Sequence, residues 1–247
     1  ERRWDPLVAV DGEFVVCFRD TYAGHNNSGN WGADNSEYIL PFAIEGDSED
    51  YSSTYTLVRG KPGSPSNTIE HTASLAAAIS KSAANDPALQ FKTLELPGVA
   101  GPLMGKRFKN TERNNLLNNG RGTLFTNDSG QRFIERAVTS RTQTNLGADT
   151  DAFVNGNRMF ILSYQRYTIE QLFEVKYARY KKGKDDTQYE DGQPVITRSI
   201  VISEMLGLFR EWEGIAIVED YEQFRRDLIV DDSPQDRFDV VVPSNHI

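Results

Sequence analysis

The sequence contains few of the side chains on which enzymes and metalloproteins most often depend. It has one cysteine and three histidines in 247 residues. A single cysteine cannot form an internal disulfide, so nothing in the composition requires an oxidising compartment. The longest apolar runs, such as FVVCF and MFIL, are far shorter than the roughly 20 residues that a membrane-spanning helix needs.

The few reactive side chains also lack the neighbours that chemistry requires. His25 lies in a Gly/Asn-rich loop, His71 in an Ala-rich stretch and His246 near the frayed end of the sequence, and none has a second ligand at metal-binding spacing. Cys17 lies among apolar residues, which is typical of a buried, unreactive thiol. The sequence contains no G-x-S-x-G, S-x-x-K or Walker motif. We therefore predict no catalytic residue, no cofactor and no metal site.

Two acidic stretches deserve comparison with calcium loops, GADTD at 147–151 and VDDSPQD at 230–236. Neither supplies the further oxygen ligands and the closing bidentate acid that such a loop needs. A helix cap or a hairpin turn is the more usual role of these residues. A hydrolase that uses loop carboxylates, or His25 with an acid, stays an alternative because the partners can be distant in sequence.

The charge is strongly of one sign, with 36 acidic against 27 basic residues and a net charge of −9. Such a surface repels phosphate backbones and anionic lipids. We therefore expect neither direct nucleic-acid binding nor direct membrane insertion. The same charge would keep free subunits soluble.

The first hundred residues alternate between strand and helix patterns. Strands are predicted at 13–18 and 38–44, an Ala-rich helix with Asn67 as its N-cap at 67–84, and a short strand at 92–96 that Pro97 and Gly98 close. This order indicates a partly parallel α/β layer.

From about residue 106 the pattern changes to helices and hairpins. A short helix ending near Gly120 precedes a hairpin at 122–138, and long helices are predicted at 157–180 and 198–213. In the second long helix Val201, Met205, Leu208 and Trp212 are spaced by four, three and four residues, which defines an apolar stripe. A short helix and a second hairpin at 227–243 follow. The fold class is therefore α/β (α+β): a partly parallel layer, then a C-terminal module of hairpins packed by two long amphipathic helices.

The stretch 112–145 is dense in Asn, Thr, Arg and Asp around two short apolar runs. Most of these groups form directional hydrogen bonds without titrating near neutral pH, so they do not indicate a reaction. They suit a surface that sets register against a partner. An ordinary hydrated surface is the alternative.

Several segments occur in the order of one known family. These are 1–12 (ERRWDPLVAVDG), 63–99 with its Ala-rich helix and LPG corner, 112–153 with ERN, IER and QTN, and finally LFREWE and 221–243. On these segments the sequence resembles the tail sheath proteins of contractile bacteriophages, the Mu-like branch in particular. Nearly all of the matching segments follow residue 63, and we expect an insertion near 19–61. Because the sequence starts at Glu1 and stops at VVPSNHI, we expect it to belong to a longer protein.

The resemblance implies an α/β sheath domain at 1–105 and a C-terminal sheath core domain at 106–247. It also implies a structural, non-enzymatic subunit that polymerises around a tail tube and contracts to drive the tube through the bacterial envelope for genome ejection. The implied partners are further copies of the chain, exchanging terminal strands, the tail tube protein, and the baseplate and tail terminator proteins. The subunit would assemble in the host bacterial cytoplasm and lie in the virion tail.

A sheath subunit of a phage-derived bacteriocin or injection machine would have the same sequence features. The candidate subunit contacts are charged residues near the second hairpin: Arg210, Glu211, Arg225, Arg226, Asp231 and Asp232. An ordinary solvated face is the alternative for these residues.

Overall fold

The structure is a computed structural model that describes residues 15–20, 40–45, 64–139, 141, 148, 154–243 and 245–246. It divides into two compact units, Glu1–Phe160 and Ile161–Ile247. This boundary lies well beyond residue 105. The assignment of the two family domains therefore stays a prediction. His25, the side chain of Cys17 and most of 19–61 lie outside the described residues.

The first unit begins with a parallel pair of strands, β1 (Val15–Asp20) and β2 (Leu40–Glu45). Val15 lies opposite Leu40 and Asp20 opposite Glu45. Phe42 and Leu40 are fully buried, and Phe42 forms a parallel bridge with Gly122. The predicted parallel layer is thus confirmed.

Helix α1 (Thr68–Asn85) starts at the predicted cap. The Asn67 side chain accepts a hydrogen bond from the Glu70 N–H (2.8 Å), and the Glu70 carboxylate accepts one from the Asn67 N–H (3.0 Å). This reciprocal capping box satisfies two backbone donors that the first turn cannot satisfy itself. His71 is buried on this helix, with Nδ1 2.9 Å from the Asn67 carbonyl oxygen, as expected for a locally bonded histidine.

A three-stranded antiparallel sheet follows, in the order β3-β5-β4, with β3 at Glu95–Ala100, β4 at Thr123–Thr126 and β5 at Gln131–Arg136. The predicted hairpin is confirmed, and its turn places Gly130 at a φ of 83°. The prediction for β3 was wrong in extent, because the strand runs through Pro97 and Gly98 instead of ending there. An edge strand tolerates proline, since its outer N–H groups have no ladder partner to lose.

Helix α2 (Asn110–Asn118) ends as the sequence predicted. Gly120 has a φ of 69°, and its N–H donates to the Leu117 carbonyl oxygen (3.0 Å). The Arg121 N–H donates to the Leu116 carbonyl oxygen (3.0 Å). These two bonds form a Schellman cap, which needs the left-handed conformation that glycine adopts at low cost.

Helix α3 (Asn157–Lys176) is four residues shorter than predicted. Beyond Lys176 the chain turns, and the Tyr180 N–H donates to the Tyr177 carbonyl oxygen (3.0 Å). Near the start of the helix Phe160 meets Phe91 edge to face at 5.2 Å. Both rings belong to the core of the first unit: Leu40, Phe42, Leu75, Ile79, Ala83, Phe91, Leu96, Val99, Leu124, Ile134, Ala137 and Phe160.

The second unit contains most of α3, two further helices, two short strand pairs and a hairpin. Strands β6 (Lys181–Lys182) and β7 (Val195–Ile196) are parallel, and helix α4 (Arg198–Gly214) follows. Strand β8 (Val218–Glu219) and helix α5 (Tyr221–Asp227) precede the predicted hairpin of β9 (Ile229–Asp231) and β10 (Asp239–Val241). A last strand, β11 (Asn245–His246), pairs antiparallel with β8.

The predicted position of His246 at a frayed end was wrong. Its backbone pairs with Val218, and its Nε2 lies 3.0 Å from Oε1 of Gln165 on α3.

The apolar stripe of α4 is buried as the spacing predicted. Val201 and Met205 join Ile196 and Val230 in one cluster, against which Ile169 and Phe173 of α3 pack. Trp212 is buried as well, and its indole N–H donates to the Thr168 hydroxyl (3.1 Å). The second hairpin is therefore packed by the two long helices. Of the helices that the structure describes, none combines the length and apolarity needed to span a bilayer.

The stability of α4 can be tested at Gly207. This exposed glycine lies in the helix interior, and a Cβ added there would meet nothing within 4 Å. Since alanine is favoured over glycine in a helix by about 0.8–1 kcal/mol, we expect Gly207→Ala to raise the free energy of unfolding by about that amount. Urea denaturation followed by circular dichroism measures the change. The control is Gly101→Ala, which must lower stability because its Cβ would overlap the Thr126 side chain. A loss of stability in Gly207→Ala would contradict the description of this face as open.

Candidate functional site

All six candidate contact residues are exposed in the second unit. Arg210 and Glu211 lie on α4, Arg225 and Arg226 in the last turn of α5, and Asp231 and Asp232 at the end of β9. The structure does not test whether they contact another subunit, so that role stays a proposal.

Arg210 makes a cation–π contact with an aromatic ring. Its guanidinium carbon lies 4.4 Å from the centroid of the Tyr221 ring. Arg225 is one turn from Tyr221 on the same side of α5. Arg210, Tyr221 and Arg225 thus form one patch, which we call the arginine patch. Glu213 lies beside it, and its carboxylate accepts a bond from the Tyr221 N–H (3.3 Å).

Glu211, the other candidate on α4, affects the pKa of Tyr164. Burial raises the pKa of the Tyr164 hydroxyl, and the negative charge of Glu211 raises it further.

The acidic stretch 230–236 is a hairpin turn, as predicted. Asp231 accepts bonds from the Ser233 N–H (2.9 Å) and the Ser233 hydroxyl (2.8 Å). These two bonds hold the pKa of the Asp231 carboxyl below its usual value. The carboxylate of Asp231 is thus used to shape the turn.

Sequence reasoning missed Lys182, which holds this turn from outside the hairpin. Its Nζ donates to the carbonyl oxygens of Asp232 (2.6 Å), Pro234 and Arg237 (2.9 Å). It also lies 4.8 Å from the Phe238 ring centroid. Because the partners are 50 to 55 residues away, no local pattern identifies them. We call the segment 231–239 the acidic turn.

Asp185 was also missed. Its carboxylate accepts bonds from the N–H (3.0 Å) and hydroxyl (2.6 Å) of Ser199, in the first turn of α4. The bonds from Ser199, and then Thr197, lower the pKa of Asp185. A carboxylate at this position satisfies helix donors that Thr197, the N-cap residue, does not satisfy with its own side chain.

Glu204 joins α4 to the end of α3. It accepts hydrogen bonds from Lys176 Nζ and from the Tyr177 hydroxyl, both at 2.5 Å. The bonds from Lys176 and then Tyr177 lower the pKa of Glu204, whereas burial raises the pKa of Tyr177.

Several polar side chains in the described part of the stretch 112–145 form bonds within the first unit. Glu135 accepts from Arg113 Nε (2.8 Å) and from the Thr123 hydroxyl (2.9 Å). Arg132 is buried and donates to the Thr126 hydroxyl (2.7 Å). Burial also lowers the pKa of Arg121 to about 10. Arg121 and Arg132 are buried and so belong to no contact surface, whereas for the exposed residues of the stretch the role of setting register against a partner stays a prediction.

The hydrolase alternative gains no support from the described carboxylates. Asp185, Glu204 and Asp231 all have lowered pKa values, which keep them ionised, whereas a general acid needs a raised one. Over the ranges that the structure describes, no three His, Cys, Asp or Glu side chains are grouped to hold a metal ion. Apart from Ala148, the stretch 147–151 lies outside those ranges.

Comparison with known proteins gives one extended sequence similarity. The chain is similar to the Mu-like prophage FluMu tail sheath protein of Haemophilus influenzae, with 29% identity over 244 residues. The match covers 99% of this chain and 46% of that protein, so the chain spans about half the length of the relative. The resemblance seen in the sequence is thereby confirmed. No protein-family model matches the chain.

Two solved structures are similar to the chain at 13% identity. The sheath tail protein from Desulfitobacterium hafniense gives a TM-score of 0.50, over 92% of this chain and 48% of that chain. The sheath tail protein from Listeria innocua gives a TM-score of 0.49, over 97% and 51%. The first of these confirms the fold class, a mixed fold of helices and small sheets.

The role of Lys182 can be tested by replacing it with methionine. Three carbonyl oxygens would lose a charged donor, so we expect Lys182→Met to lower the free energy of unfolding by about 1–3 kcal/mol. Hydrogen exchange should rise in the hairpin 229–241. The neighbouring exposed Lys181 provides a matched control, and Lys181→Met should change neither quantity. Equal effects of the two substitutions would show that the turn does not depend on Lys182.

The contact between α3 and α4 should depend on pH through Glu204. The folded-state pKa of Glu204 lies below 4.5, the ordinary value for a glutamate. The stabilisation is therefore present above about that pH and is lost as the pH falls through the folded-state pKa. We expect Glu204→Gln to lower stability near neutral pH and to flatten the fall in stability under acid. Urea denaturation from about pH 7 to about pH 3 measures both. Glu190→Gln, in an exposed loop, is the charge-matched control, and a pH profile for Glu204→Gln like that control's would contradict the role of Glu204.

Proposed function

We propose that this chain is part of a structural subunit of a contractile tail sheath. The observation that carries the proposal is the similarity to the FluMu tail sheath protein, which extends over 99% of the chain. The subunit polymerises around the tail tube, and the sheath contracts to drive the tube through the bacterial envelope for genome ejection. The role is mechanical and involves no catalytic step.

The partners in this proposal are further copies of the chain, the tail tube protein, and the baseplate and tail terminator proteins at the two ends. Assembly takes place in the cytoplasm of the host bacterium, and the product lies in the virion tail. The net charge of −9 supports a subunit that stays dispersed until it is assembled.

The energy for contraction comes from repacking. An extended lattice that is metastable can release free energy when its subunits move to a better-packed arrangement. If each contact is better by about 1–3 kcal/mol in the contracted state, the sum over a long tube gives a strong one-way drive. Such a mechanism needs rigid subunits with charged and polar contact surfaces. The acidic turn, whose backbone is hydrogen-bonded to Lys182, and Arg210, which lies against the Tyr221 ring, provide surfaces of this kind.

Assembly of the natural protein that carries these residues tests the proposal. We expect it to form hollow cylinders at high concentration, seen by negative-stain electron microscopy and as a rise in light scattering. As the salt concentration is raised, assembly should at first become more favourable, because salt screens the repulsion between copies that each carry a net charge of −9. Val201→Asp, which buries a charge in the core of the second unit, is the negative control. A protein that stays monomeric across the whole series of concentrations and salts would contradict the proposal.

A further inference from the structure

The arginine patch has the properties of a carboxylate-binding site. The guanidinium carbon of Arg210 lies 4.4 Å from the centroid of the Tyr221 ring, and a guanidinium presents N–H groups that fit a planar carboxylate. Neither Arg210 nor Arg225 forms an ion pair with a described residue. Arginine and tyrosine are also the residues that most often dominate binding energy at interfaces.

The acidic turn has the complementary charge. Asp231 and Asp239 lie directly opposite each other on β9 and β10, which places two like charges side by side. Asp231 is bonded to Ser233 and Asp239 to Arg237 (2.8 Å). The side chains of Asp232 and Asp236, in the turn itself, have no partner among the described residues.

The acidic turn is also held in one conformation before any binding takes place. Lys182 fixes its backbone through the carbonyl oxygens of Asp232 and Arg237 (2.6 and 2.9 Å). A loop that is already ordered loses less conformational entropy when it binds. Beside it, Ile229 and Val241 lie opposite each other, and each is 58% exposed, so the same face offers apolar area for the stems of arginine side chains.

We propose that the acidic turn of one copy of this chain binds the arginine patch of the next copy, an inference that rests on the proposed sheath function. Both surfaces belong to the second unit, yet the fold forms no ion pair between them. Two different complementary surfaces on one chain make a head-to-tail contact, which repeats without closing unless the rotation happens to complete a ring. The occupant of the arginine patch is therefore a carboxylate turn of a second copy.

The test is a pair of charge reversals. The first variant carries Arg210→Glu and Arg225→Glu, and the second carries Asp232→Arg and Asp236→Arg. Each alone should begin to assemble only at a concentration at least ~10-fold above that of the unmodified protein, because both copies then present the same charge at the contact. A one-to-one mixture of the two variants should assemble near the unmodified concentration, since each variant restores the other's contact.

Matched controls separate this contact from the effect of net charge. Arg166→Glu with Arg179→Glu changes the charge as the first variant does, at exposed arginines elsewhere in the second unit. Glu190→Arg with Asp191→Arg does the same for the second variant, in the exposed loop before β7. Neither pair should show the loss of assembly followed by rescue on mixing. Tyr221→Ala, which leaves all charges in place, should raise the assembly concentration roughly 2- to 5-fold through loss of the cation–π contact.

The outcomes distinguish this contact from the proposed function. If the unmodified protein forms cylinders and both reversed variants do so equally well, the contact is overturned and the sheath function stands. Failure of the mixture to restore assembly also overturns it, provided that circular dichroism shows both variants folded. A single chain that carries all four substitutions provides an independent arm, and it must assemble by itself if the two surfaces bind each other.

Discussion

Burial of the apolar stripe of α4 is the interaction on which the second unit depends. Val201 and Met205 pack with Val230 of the hairpin and with Phe173 of α3, so one helix joins the unit's main elements. The 3.6-residue period that buries these side chains also sets which positions of α4 face outward. Arg210 lies between the buried Phe209 and Trp212 in sequence, and its exposure follows from theirs. The packing of the core thus fixes the place of the charged surface.

Hydrogen bonding then shapes the outer elements. Strand β6 and the loop after it supply two charged groups, Lys182 and Asp185, which bond to backbone groups that have no partner within their own elements. Lys182 donates hydrogen bonds to carbonyl oxygens of the acidic turn, and Asp185 accepts one from the Ser199 N–H in the first turn of α4. An exposed ion pair contributes little, whereas a charged group bonded to fixed backbone groups orders a segment. In the polar stretch of the first unit, Glu135 likewise bonds to groups of its own fold, the Arg113 guanidinium and the Thr123 hydroxyl.

Features that depend on residues close together in sequence were predicted correctly, whereas features that depend on residues far apart in sequence were not. The cap at Asn67, the stripe on α4, the hairpins and the helix end at Gly120 were predicted because they depend on residues a few positions apart. The extent of β3 was not, since its course through Pro97 depends on being an edge strand. Exposure of the candidate residues followed from their charge. The cation–π contact between Arg210 and Tyr221 and the hydrogen bonds from Lys182 to the acidic turn depend on tertiary packing. No local sequence pattern predicts them.

Two electrostatic effects of different range act on such a subunit. The net charge of −9 repels copies at distances up to the Debye length, about 8 Å at physiological ionic strength. A pair of complementary patches attracts only at contact, where water is displaced and salt screens less. Moderate salt therefore removes the repulsion before it weakens the contact, and assembly should be most favourable at an intermediate ionic strength. Because the attraction requires correct orientation and the repulsion does not, copies that approach in other orientations separate again. In the proposed sheath subunit, a net negative charge combined with the arginine patch thus allows copies to stay dispersed and still associate in a single register.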